Sequence, residues 1–303
     1  MQGLSLAAYI TLMAATRPNN QVIKMHNKII DPHVHFFNLI EGEYTWLQGD
    51  TPPPWPHLDQ IKAPITANEL MQYCSFELTA LVHIEAGFNN NHPIEELIWL
   101  NKYLAHTQYK AIGYAKIDDC PDTFTQAIAH LLHPSLVGIR DITEGEDSSR
   151  LLNPNTVTNL AYLAKLGLHF EAQFELENTT ISKRVADYCA QLPNLRIVIN
   201  HAGLPKKLND WKAGVEVLTH NQNVFIKYSG FELLPLSTVQ QQTCFDFIVQ
   251  QFGQSRIMFA SNFPVCQIKQ SYEAVWQSHF ALCKNHTLWR KLSYDNALRF
   301  YWL

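Results

Sequence analysis

A chain of 303 residues with 47% hydrophobic and 17% charged side chains can bury a large core, which excludes global disorder. Its net charge of −4 comes with no basic run, which argues against a dedicated nucleic-acid binder, and its 12 Gly and 15 Pro are too few for a linker-rich or collagen-like protein. No apolar run is long enough to span a bilayer, and the six cysteines form no CxxC pair. They read as buried thiols of a reducing compartment. The expectation is a cytoplasmic protein acting on a small molecule, with no nucleic-acid or membrane partner, as a monomer or homodimer.

Residues 3–16 are apolar and imitate the core of a signal peptide, but no Lys or Arg precedes them and the first basic residue is Arg17. Residues 1–24 are therefore expected to be an N-terminal extension, and residues 25–303 a single domain. From there short, mostly apolar runs alternate with stretches of helical periodicity. Strands are predicted at 28–35, 79–86, 110–117, 136–142, 167–174, 195–201, 223–229 and 256–262. Helices are predicted at 94–106, 122–133, 155–166, 178–191, 237–252 and 287–301, with less of the pattern at 207–220. Eight such alternations predict a (β/α)8 TIM barrel. An open doubly wound sheet would be expected to show a glycine-rich turn after an early strand, whereas the first strand here ends in DPHVHFFN. The long Pro-rich loop 41–68 would sit at the mouth of such a barrel.

The C-terminal ends of barrel strands converge on one pocket, and polar residues gather there. His33 and His35, two apart on the first strand, should face the same way and can bind a divalent cation or polarise a carbonyl. His201 ends the sixth strand and supplies a third imidazole. Arg140, near the end of the fourth, needs an anionic partner: a substrate carboxylate, Asp141 or Glu171. Glu171 and Gln173 share one face of strand five, and His83 and Glu85 one face of strand two, directed into the lumen if the register holds. Lys227 suits an ion pair with Glu171 somewhat better than a catalytic role. Strand eight ends in Asn262, where a hydrolase would want a carboxylate; an amide orients water but cannot accept its proton.

These motifs in this order resemble the amidohydrolase superfamily, and within it the amidohydrolase-related group that includes sugar-lactone and 2-pyrone-4,6-dicarboxylate lactonases. The resemblance runs through Ile29-Ile30-Asp31-Pro32-His33-Val34-His35-Phe36, the Tyr-x-Trp-Leu segment at 44–47, Val82 to Gly87 with Glu96 and Trp99, Gly138 to Arg140, Phe170 to Gln173, His201 to Pro205, Lys227 to Gly230, and Asn296 to Tyr301. It implies a barrel hydrolase that opens lactones, with one divalent ion (zinc or manganese) or none. The group's Gly-Ser-Asp after strand eight is here Ala260-Ser261-Asn262. The expected catalytic residues are then His201, Asn262, Arg140, Gln173 and Glu171. The expected substrate-binding residues are Arg140, His83, Trp46 and Lys227, and the expected metal ligands His33, His35 and His201. The leading reading is hydrolysis of a small, possibly anionic lactone by water. The alternatives are a catalytically degenerate binding barrel, suggested by Asn262, and a decarboxylase of the same superfamily.

Overall fold

The computed structural model describes residues 28–62, 65–72 and 74–302. The expected N-terminal extension, residues 1–24, lies outside them. Eight strands, β1 (Lys28–Val34), β2 (Glu77–Ile84), β3 (Tyr109–Tyr114), β4 (Leu136–Ile142), β5 (His169–Gln173), β6 (Ile197–Ile199), β7 (Val224–Tyr228) and β8 (Ile257–Phe259), pair in parallel in chain order. The chain just beyond β8 closes the barrel onto β1. Asn262 N–H donates to His33 O at 3.0 Å, and His35 N–H donates to Phe263 O at 2.7 Å. Asp31 secures this seam from inside by accepting the N–H groups of His33 and Ser261. The fold is the expected (β/α)8 TIM barrel.

Helices cover the barrel where the periodicity placed them, and their ends follow from local chemistry. Pro154–Leu166 starts on an Asn153 cap with proline in its first turn and stops at Gly167 in a left-handed conformation. Thr238–Phe252 starts on a Ser237–Gln240 capping box. Segment 207–220 contains the helix Leu208–Thr219. The pattern at 287–301 divides into three short helical pieces, and a further helix, Tyr272–Leu282, was not anticipated.

Alternation along each strand sorts side chains into two cores. Ile139, Phe170, Ile197, Ile226 and Phe259 face the helices. Ile30, Val82, Ile84, Ile112, Val198 and Met258 fill the lumen with Phe300 and Tyr301 of the last helix. This register corrects one expectation. With Val82 and Ile84 lumenal, His83 faces outward, where its ring Nδ1 accepts from Phe36 N–H and its Nε2–H donates to Glu96 at 2.9 Å. His83 therefore fixes the helix Ile94–Tyr103 to the barrel and does not line the cavity at the mouth, where substrate binding was expected of it.

A second correction concerns Glu171 and Lys227. Both are completely buried and pair at 2.7 Å across the lumen. Glu171 also accepts from Tyr301 Oη at 2.7 Å, from Asn200 Nδ2, and from His169. Neither residue lines the cavity at the mouth. They form the polar layer beneath it, because a carboxylate inside a barrel must find its donors there. Burial alone would raise the Glu171 carboxyl; Lys227 and His169 outweigh it and hold it down at about 2.

Lys227→Met should therefore cost about 3–5 kcal/mol at pH 7 by leaving a buried carboxylate unpaired, and adding Glu171→Gln should recover most of it. Because the folded pKa of Glu171 lies below its ordinary 4.5, the pair's contribution is present above 4.5 and lost as pH falls toward 2. Urea unfolding of parent, single and double variants at several pH values measures this. A single-variant loss under about 1 kcal/mol at neutral pH would show that the pair carries no such weight.

Candidate active site

Three imidazoles meet where β1 and β6 reach the mouth. The ring of His33 lies 5.0 Å from that of His35 and 4.5 Å from that of His201, centroid to centroid. His35 Nδ1–H donates to Ile84 O at 2.9 Å, so its Nε2 carries a lone pair. His201 Nδ1 lies 3.1 Å from Ser229 Oγ, which leaves Nε2 toward the cavity. Both ring nitrogens of His33 are buried without a hydrogen-bond partner. Burial first, then neighbouring cationic groups, lower the pKa of His33 and His35 well below the ordinary histidine range and that of His201 to about 3. All three rings are neutral at physiological pH.

Neutral imidazoles are metal ligands, and the orphaned nitrogens of His33 with the Nε2 lone pair of His35 fit two positions of a divalent ion's shell. The expected three-histidine shell is not formed. Among the described residues no group of three or more His, Cys, Asp or Glu could hold a metal ion together. His201 is brought close, its ring tilted 52° from that of His33 and its Nδ1 against Ser229, with Nε2 toward the cavity.

Above the rings opens a cavity of about 800 Å³. The loop after β1 supplies one wall, with Trp46 and Trp55 at 5.8 Å and Phe37 at 6.1 Å from Trp46. Trp46 is fixed by donating Nε1–H to Ala86 O at 2.7 Å. Arg140 lines the cavity, but its protein partner is neither Asp141 nor Glu171. Nε donates to Glu85 Oε1 at 2.7 Å, Nη2 to Glu85 O at 2.7 Å and Nη1 to Gln173 Oε1 at 2.9 Å. Asp141 is instead held by Arg150, and Glu171 by Lys227. Gln173 passes the chain on by donating to Glu144 at 2.7 Å. Lys206 pairs with Glu175. Thus, among the described residues, each lysine or arginine lining the cavity already has a carboxylate partner.

The structure brings His33, His35, His201, Asn262, Arg140, Gln173 and Trp46 together and leaves His83, Glu171 and Lys227 outside the cavity. Sequence reasoning missed Glu144 and Glu232. Glu232 comes two residues after Gly230, whose φ of 78° turns the chain back toward the mouth. A Cβ at Gly230 would stand 2.5 Å from His201 Cβ, so glycine is required for this approach. The signal lay in the sequence as a carboxylate just past a glycine at a barrel strand's C-terminal end.

Comparison with known proteins places this geometry. An amidohydrolase from Burkholderia multivorans, solved with bound zinc, superposes with a TM-score of 0.74 at 19% identity, over 91% of this chain and 99% of that one, and shares the fold. The L-rhamnono-gamma-lactonase of Scheffersomyces stipitis is 20% identical over 336 residues, covering 90% of this chain and 98% of the lactonase. A Sinorhizobium fredii protein called uncharacterized protein y4mH is 26% identical over 296 residues, covering 90% of this chain and 98% of that protein. Residues 30–303 match the amidohydrolase family model Amidohydro_2. The chain belongs to the amidohydrolase family.

Proposed function

We propose that the protein hydrolyses a small, uncharged sugar lactone by adding water across its cyclic ester bond. The observation that carries this reading is the prior engagement of Arg140, Arg150 and Lys206 by carboxylates. An anionic substrate entering this cavity would have to compete with those partners, and separating the buried Arg140–Glu85 pair is costly, whereas the half-exposed Lys206–Glu175 pair separates more readily. Glu144, Glu232 and Asn90 offer hydrogen bonds, and the Phe37, Trp46 and Trp55 wall offers flat apolar surface. A ring with hydroxyls on its rim and C–H groups on its face suits both. This reading departs from the expectation of a possibly anionic lactone, which rested on Arg140. The sugar-lactonase name of a relative agrees.

Ester hydrolysis needs a polarised acyl oxygen, a positioned water and a proton acceptor. With Ser229 donating to Nδ1, His201 carries its proton on Nε2 and can donate to the acyl oxygen. Asn262 orients the water without taking its proton. A divalent ion held by His33 and His35 would supply Lewis-acid polarisation of the same oxygen.

A panel of neutral aldonolactones and dicarboxylate lactones, followed by acid release with and without chelator, tests the reading. Neutral lactones should be favoured by about tenfold or more in kcat/KM. Preference for dicarboxylates would overturn the substrate class, release of carbon dioxide would point to a decarboxylase, and binding without turnover would leave a degenerate barrel. Arg140→Lys gives a second check. An ammonium cannot reproduce three directed contacts to Glu85 and Gln173, so the variant should lose activity on every lactone it turns over by about tenfold or more. A KM increase confined to anionic lactones would restore Arg140 as a substrate anchor.

A further inference from the structure

Hydrolysis at this mouth lacks an assigned proton acceptor, since Asn262 has none to offer. A carboxylate stands beside it from a different strand. Asn262 Nδ2 donates to Glu232 Oε1, and both residues line the cavity with His35 and His201. The backbone that carries the amide is fixed on both sides. Asn262 has a left-handed backbone, φ 59°, with its N–H bound to His33 O and its C=O accepting from Cys266 N–H at 3.1 Å. A carboxylate offers about four lone-pair positions, so the amide's single bond leaves room for a water. The other cavity carboxylates are engaged differently. Glu85 is tied to Arg140, Asp141 and Asp147 to Arg150, and Glu144 to the Gln173 amide.

We propose that Glu232 is the general base of the lactone hydrolysis, with Asn262 holding its carboxylate toward the attacking water. This rests on the lactonase reading above. The water oxygen bonds to the acyl carbon as its proton passes to Glu232, giving a tetrahedral alkoxide. The alkoxide re-forms the carbonyl as the bond from acyl carbon to ring oxygen breaks. The ring oxygen takes the proton from Glu232 and leaves as a hydroxyl, so one water is consumed and the carboxylate is regenerated. Burial raises the Glu232 carboxyl to about 7, against the opposing pull of its own backbone N–H, the Asn262 amide and the Lys269 ammonium. Its other titratable neighbour, the Cys266 thiol, is pushed well above its ordinary value and stays neutral. A base with such a pKa is matched to work near neutrality.

The arrangement also explains the amide at 262. A carboxylate there would oppose Glu232 directly, and two like charges at one site suppress each other's ionisation. The test is a double-variant cycle on the full chain, with kcat and KM measured on the best neutral lactone of the panel. Glu232→Gln should lower kcat by about 10²–10⁴ with little change in KM, and should remove the fall in kcat/KM that the parent shows as pH drops through 7. Asn262→Asp should slow the parent yet speed the Glu232→Gln variant by about tenfold or more, since it then supplies the missing base. That reversal of sign also shows that the doubly substituted chain is folded. Retention of most of the parent's kcat by Glu232→Gln, or acceleration of the parent by Asn262→Asp, would overturn the proposal while leaving the lactonase reading intact. A parent that opens no lactone would remove both.

Discussion

The carboxylate of Glu171, placed where no water reaches it, constrains much of the barrel interior. It collects Lys227 from β7, Asn200 from the end of β6, His169 from β5 itself and Tyr301 from the last helix. Each donor comes from a different stretch of chain, so satisfying one charge brings three neighbouring strands and the C-terminal plug into register. Alternation along β5 then does the rest. Two residues below Glu171, His169 packs edge-on to Phe300 and Tyr301. Two residues above, Gln173 emerges at the mouth and receives Arg140. Gly138 on β4 is part of the same constraint, for a Cβ there would stand 2.7 Å from the His169 ring. The floor of the cavity is thus determined from beneath.

At the mouth the same rule gives a different result. Arg140, Arg150 and Lys206 face the cavity, yet each is engaged by a protein carboxylate. Cations paired in this way shape a pocket and hold its loops without selecting for an anion. Arg150 ties β4 to the turn that follows it through Asp141 and Asp147. Arg140 ties β4 to β2 and β5. On the proposed reading, recognition falls to directional hydrogen bonding against an aromatic wall, which discriminates shape and hydroxyl arrangement more than charge.

The barrel was legible because its strands are short apolar runs buried on both sides, separated by stretches of helical period, and that rhythm survives without any knowledge of contacts. The Lys227–Glu171 pair was legible for a related reason: two charges directed into a closed lumen have few places to go. What escaped was whatever depended on register or on turns. His83 was placed on the wrong face because β2 is apolar and buried on both sides, so its sequence does not mark which alternate residues are lumenal. The partner of Arg140 was sought on β4 and β5, whereas Glu85 lies beyond the end of β2, where strand alternation no longer applies. The helix Tyr272–Leu282 was missed although Ser271 caps it, since Tyr272, Val275, Trp276 and His279 bury one face of mixed character. Glu232 was missed because its direction is set by the left-handed turn at Gly230, and the glycine alone does not say which way the carboxylate faces.

Position 262 shows why a motif letter is an incomplete account of a site. Read alone, an amide where an acid is expected means a missing base. In three dimensions the amide is a donor, its side chain aimed at a half-buried carboxylate from the loop after β7. The chemical content of the mouth is the set of protons that can be given and taken there, and that set is conserved if an acid disappears from β8 while one stands after β7. The energetic logic is consistent with this. Below the cavity Glu171 is held far down by four donors and stabilises the fold. At the mouth Glu232 is raised toward neutrality by burial, with one amide to steady it, which costs stability and leaves a carboxylate able to exchange a proton. Two glutamates in one barrel thus take opposite roles: Glu171 is fully buried against the Lys227 ammonium, and Glu232 is half-buried against an amide.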